Sequence, residues 1–105
     1  MDVDKLHESA RKASALLKAM SNEHRLMILC QLLRGEKSVG ELERVIGLSQ
    51  SALSQHLARL RRDSLVRTRR QAQTIFYSLA GREAGAVIDT LYHLYCAPED
   101  AVAAQ

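Results

Sequence analysis

Ser38-Val-Gly-Glu-Leu-Glu-Arg-Val-Ile-Gly47 runs through Leu48-Ser49 into Gln50-Ser-Ala-Leu-Ser-Gln-His-Leu-Ala-Arg-Leu-Arg-Arg62. Ser38 with Glu41 three residues on has capping-box spacing, so a helix begins there. Gly47 permits a sharp turn, and Ser49 caps a further helix ending near Asp63. Beyond it, Leu65 to Arg70 and Thr74 to Leu79 are strand-like, joined by Gln71-Ala-Gln73, and the first of them carries Arg67-Thr-Arg-Arg70. A short helix, a tight turn, a second helix and a basic hairpin predict a winged helix-turn-helix. That arrangement sets one helix in a DNA major groove and places cations on the flanking phosphates.

The flanks complete the pattern. Leu6, Ala10, Ala13, Leu17 and Met20 recur at three- and four-residue spacing and predict a first helix over about 4–20. Ser21-Asn22 offers a cap for a second helix, which runs to about Arg34 before Gly35. Its apolar residues are nearly continuous from Leu26 to Leu33, as suits a central helix. A last helix over about 82–96 presents Val87, Ile88, Leu91, Leu94 and Tyr95. The expected fold is mainly α with a small β-hairpin, in the order ααααββα. It forms a single domain over 1–105, with the recognition helix at about 49–63 and the wing at about 65–79. Ala97 to Gln105 is alanine-rich and is expected to fray.

Charge points to the same surface. The chain has 105 residues and a formal net charge of +3, yet residues 44–82 hold eight arginines and one acid, Asp63. The ends are therefore acidic and the middle basic, the footprint of a surface that meets phosphate. Leu53, Leu57 and Leu60 share the core face of the recognition helix, which turns Gln50, Ser51, Ser54, Gln55 and Ala58 outward. Short polar groups let such a helix seat deeply, and Gln can pair with adenine. Arg59, Arg61 and Arg62 at its end suit phosphates. In the wing, Arg67, Arg69 and Arg70 with Gln71 and Gln73 suit a neighbouring strand or a narrow minor groove. His56, between core leucines, reads as a packing or hydrogen-bonding histidine.

Three stretches, Leu48-Ser-Gln-Ser-Ala-Leu-Ser-Gln-His-Leu-Ala-Arg-Leu60, Met20-Ser-Asn-Glu-His-Arg-Leu-Met-Ile-Leu29 and Gln73-Thr-Ile-Phe-Tyr-Ser-Leu79, resemble the ArsR-type regulators. The resemblance implies a homodimer held by the first and last helices (about 4–20 and 82–96), binding a palindromic operator on duplex DNA and usually repressing. Apolar faces over 6–20 and 84–95 need such a partner, and paired half-sites suit a dimer. Many members sense metals through cysteines that begin the third helix; Ser38-Val-Gly-Glu-Leu42 has none. Asp89 and His93, four apart, lack the further ligands of the family's other metal site and read as a surface pair. No metal or other cofactor is expected.

The two cysteines, Cys30 and Cys96, have 65 residues between them, which rules out a local CxxC motif. By residue statistics alone such thiols often just fill space. Their positions, however, resemble those of the sulfide-responsive subgroup of the family, which is BigR/SqrR/HlyU-like. That likeness implies that Cys30 and Cys96 are sensing thiols, that Tyr92 and Tyr95 wall a pocket beside them, and that reactive sulfur species are the inducer. A di- or polysulfide link would pull the last helix against the central one and release the operator. The alternative is a redox-responsive or thiol-independent regulator acting as an anti-repressor or activator. Catalysis is not expected, because no phosphate loop, metal cluster or nucleophile–base motif is present. Neither an apolar run of about 20 residues nor a signal-peptide pattern occurs, so the expected location is the cytoplasm, away from membranes.

Overall fold

The computed structural model describes residues 2–96; the alanine-rich 97–105 lies outside them. The elements are α1 (Val3–Met20), α2 (Glu23–Leu33), β1 (Lys37–Ser38), α3 (Val39–Ile46), α4 (Gln50–Arg62), β2 (Val66–Gln71), β3 (Thr74–Leu79) and α5 (Glu83–Tyr95). This is a winged helix-turn-helix in the expected order, with one strand added. None of the described helices is long and apolar enough to cross a membrane.

Local chemistry accounts for most boundaries. Asn22 Oδ1 accepts from the backbone N–H of His24 at 2.9 Å and of Arg25 at 3.1 Å, satisfying two donors that α2 would otherwise leave open. At α3 the capping box is complete: Ser38 Oγ accepts from Glu41 N at 3.2 Å, and Ser38 N donates to Glu41 Oε1 at 3.0 Å. Gly47 ends α3 in the left-handed region at φ 80°, and Ser49 Oγ accepts from Ala52 N to start α4.

The fourteen buried apolar residues form one cluster centred on Ile28, Leu29, Leu42, Leu53, Leu57 and Leu60. It locks α4 at a fixed height on α2 and α3, since deleting one buried leucine typically costs about 2–5 kcal/mol. The central helix is less enclosed than its composition suggests. Ile28, Leu29 and Leu32 are buried, whereas Met27 and Leu33 are exposed and Cys30 is half-buried. In α1 only Ala19 and Met20 are buried, so the row from Leu6 to Leu17 faces outward.

The sheet differs from a plain hairpin. Its order is β1-β3-β2, all antiparallel, because Lys37 pairs with Tyr77 and Ser38 with Phe76. The wing turn is also shorter than the three-residue Gln71-Ala-Gln73 connection. Gln71 pairs with Thr74, leaving Ala72 and Gln73 as a two-residue loop with Ala72 at φ 56°.

Candidate nucleic-acid interface

A cleft of about 1000 Å³ opens between α4, the first turn of α3 and the wing. Gln50, Ser54, Ala58, Arg61 and Arg62 line it from α4, and Gln73 lines it from the wing tip. The core leucines of α4 fix its rotation, so Gln50, Ser54 and Arg61 rise in one row along the helix. Ser51 and Gln55 are exposed on the adjoining strip of α4 and are not part of the cleft wall. Several contributors escaped the sequence reading, among them Gly40 and Glu43 on α3 and Tyr77 on β3. The capping box located the start of α3, but only the packed fold shows that this start borders the cleft.

The arginines divide into distinct environments. Arg59 Nε donates to Asp63 Oδ2 at 2.7 Å, and Arg62 Nε lies 3.7 Å from Asp63 Oδ1. The hydrogen bond from Arg59 holds the Asp63 carboxyl below the usual carboxylate range. Arg59 is thus partly neutralised within the protein, while Arg61 is exposed on the cleft.

Alternation along β2 splits the wing. Register places Arg67 opposite Ser78 and Arg69 opposite Phe76 on one face, and Arg70 opposite Ile75 on the other. Ile75 and Tyr77 line the cleft and share a sheet face with Arg70, so alternation puts Arg70 on the cleft-side face of the wing, although it is not itself part of the cleft wall. Arg67 and Arg69, expected to act beside it, lie on the far face. Arg67 Nε donates to Ser78 Oγ at 3.4 Å. Arg69 binds Glu36 through Nε and Nη2, at 3.0 and 2.6 Å, and Gln71 Oε1 through Nη1 at 2.9 Å. Gln71 is therefore engaged with Arg69.

Neither thiol lines the cleft: Cys30 is on α2 and Cys96 at the end of α5, two helices that pack on one another. Both are free; Cys30 is half-buried and Cys96 is exposed. Burial pushes the Cys30 thiol up, the charge of Cys96 pushes it further, and Arg34 opposes both. Cys96 caps α5, its N–H donating to Tyr92 O at 2.8 Å. Tyr92 is half-buried, with its ring edge-on to His93. Tyr95 is 77% exposed and so does not enclose the thiols within the single chain, contrary to a walled pocket. That exposure follows from its place at the end of α5, beyond the last buried residue, Ile88. Asp89 and His93 form a solvent-exposed pair at 3.5 Å. Among the described residues, no group of three or more His, Cys, Asp or Glu side chains can hold a metal ion.

A recognition helix seated on a leucine core, a wing and a basic cleft between them define a class: a winged helix-turn-helix protein that binds DNA. The chain belongs to the arsR family of bacterial regulatory proteins, whose profile matches residues 22–68. It is 57% identical to "Transcriptional activator HlyU" of Vibrio cholerae serotype O1, over 91% of this chain and 89% of that protein. It is 42% identical to "Biofilm growth-associated repressor" of Xylella fastidiosa, over 94% of this chain and 87% of that protein. Reduced HlyU from Vibrio cholerae superposes with a TM-score of 0.85 at 59% identity, covering 88% of this chain and 97% of that one. A solution structure described as the homodimeric winged helix-turn-helix DNA-binding domain of Mb0332 from Mycobacterium bovis superposes at 0.74 and 25% identity, covering 87% and 84%. The chain is accordingly a DNA-binding transcriptional regulator and not an enzyme.

Proposed function

We propose that this regulator works as a cytoplasmic homodimer on a palindromic operator, and that reactive sulfur species release it by linking Cys30 to Cys96. One observation carries the reading most: α2, which bears the half-buried Cys30, packs on α5, which ends at the exposed Cys96. Homodimeric Mb0332 supports the assembly, and exposed apolar residues on α1 and α5 supply the surface for it.

Exposure makes Cys96 the first nucleophile, because Cys30 is held in its thiol form by burial. The Cys96 thiolate attacks an inorganic polysulfide, takes up a short sulfur chain and expels a shortened sulfide. Cys30 then loses its proton to water and attacks that chain, expelling hydrosulfide. Two thiols are oxidised and sulfane sulfur is reduced, so no further oxidant is needed. Extra sulfurs let the bridge span thiols whose Cα atoms stand beyond the roughly 7 Å limit of a direct disulfide. Drawing α5 against α2 shifts the two recognition helices, which must meet half-sites about 34 Å apart. A coupling of about 1–3 kcal/mol changes affinity roughly 5- to 150-fold.

The test uses a duplex selected for binding from a random library. Reduced protein binds it tightly, polysulfide-treated protein releases it, and intact mass shows sulfur added between the two cysteines. Cys30→Ser and Cys96→Ser bind the duplex and ignore polysulfide. Normal release by both variants would falsify the thiol mechanism. A second reading, activation by displacing another DNA-bound protein, is favoured by the name of the 57% identical relative, an activator. In vitro transcription from a promoter carrying the selected site separates the two: repression lowers the transcript with polymerase alone, whereas displacement raises it only when the competing protein is present.

A further inference from the structure

Arg69 sits in a basic wing but is fully engaged inside the protein. All three guanidinium nitrogens have partners, two on Glu36 and one on Gln71. The guanidinium carbon also lies over Phe76, 4.5 Å from the ring centroid. Glu36 stands outside the hairpin, in the turn between α2 and β1. We propose that Arg69 is the positioning residue of the wing and not one of its phosphate ligands: it ties the hairpin to Glu36 and so fixes the wing's height over the cleft.

An isolated surface ion pair contributes little, but this one is bidentate and sits over an aromatic ring, and the paired bonds dictate direction as well as attraction. Only arginine meets both demands, since an ammonium is a point charge without a planar fork. The pairing is mutual: the bond from Arg69 lowers the Glu36 carboxyl, and the bond from Glu36 raises the Arg69 guanidinium. The strand alternation then explains the division of labour. Holding Arg69 on the far face presents Arg70 on the cleft face, where it makes no ion pair among the described residues.

The proposal rests on DNA binding by the chain and not on its thiols, so reduced protein tests it. Duplex affinity is measured across a salt series for Glu36→Gln, Arg69→Lys, Arg70→Gln and the exchange Glu36→Arg/Arg69→Glu. Removing an acid beside a DNA-binding surface should by plain electrostatics tighten binding. The clamp requires the opposite: Glu36→Gln and Arg69→Lys each weaken binding about tenfold, and Glu36→Gln flattens the salt dependence as Arg70→Gln does, as when a phosphate contact is lost. The exchange, which keeps the pair but reverses it, recovers most of the affinity. Unchanged or tighter binding by Glu36→Gln overturns the proposal, and so does an exchange variant as weak as Glu36→Gln. Failure of polysulfide to release the wild type would sink the thiol reading and leave this one standing.

Discussion

His56 shows how one side chain of the recognition helix is tied to the rest of the molecule. Arg25 Nε donates to Ala19 O at 2.7 Å, and its Nη1 lies 3.4 Å from His56 Nδ1, so neutral His56 can accept there. The His24 ring stands 5.8 Å away, and Arg25 itself feels the charges of Arg59 and Asp63. Burial lowers the His56 pKa from its ordinary 6.5, and the charges of Arg25 and His24 lower it further. The unfolded chain therefore binds this proton more readily than the folded one. Stability from this site is complete above pH 6.5 and is lost as pH falls from there towards the lowered value. Thermal melts of the wild type should thus drop between pH 7.5 and 5.5. In His56→Asn, whose amide oxygen can replace Nδ1 as acceptor, the drop should be smaller; an equal drop would assign the effect to other groups. A packing or hydrogen-bonding role for this histidine was legible from its place between Leu53, Leu57 and Leu60, without a choice between the two. Its partner was not, because Arg25 is 31 residues away in the chain.

Helices were easier to read than the wing, for reasons visible in particular elements. The starts of α1 to α4 each carry a capping side chain whose bonding is local, and the leucines of α4 repeat often enough to fix its rotation. The α3 capping box can be tested directly: Ser38→Ala should cost about 1 kcal/mol, near the middle of the range for such caps. A melting temperature lower by about 4–8 °C follows for a domain of this size, and a melt within 1 °C of wild type would mean that Glu41 alone suffices. Strand β1 escaped because two residues carry no period, and its pairing with Tyr77 and Phe76 is a tertiary event. In the wing, the count of residues in the turn decides which arginines face the cleft. Reading Gln71 as part of the loop hides that parity. With Gln71 paired to Thr74 and a two-residue loop at Ala72, Arg70 falls on the cleft side and Arg69 on the far side.

The described chain leaves large apolar side chains uncovered on α1 and α5. Val3, Leu6 and Leu17 on α1 are 66, 49 and 54% exposed, and Leu94 and Tyr95 on α5 are 63 and 77% exposed. Scattered single exposures are ordinary, but these residues concentrate on two helices that contribute nothing to the lining of the DNA cleft. A second copy covering them would set two recognition helices on one side of the DNA, and two half-site contacts then act as one. Linking two such contacts can raise affinity about 10²- to 10⁴-fold over one alone. Leu17→Glu and Leu94→Glu each place a carboxylate on that surface and should sediment as monomers. Their affinity for a full palindrome should fall at least about 100-fold by the same argument, while their affinity for a duplex holding a single half-site stays at the wild-type value. The half-site measurement decides between causes, since an unfolded variant would lose both. Dimers that persist in both variants would move the interface away from α1 and the end of α5, and with it the route by which a link at Cys96 reaches the DNA.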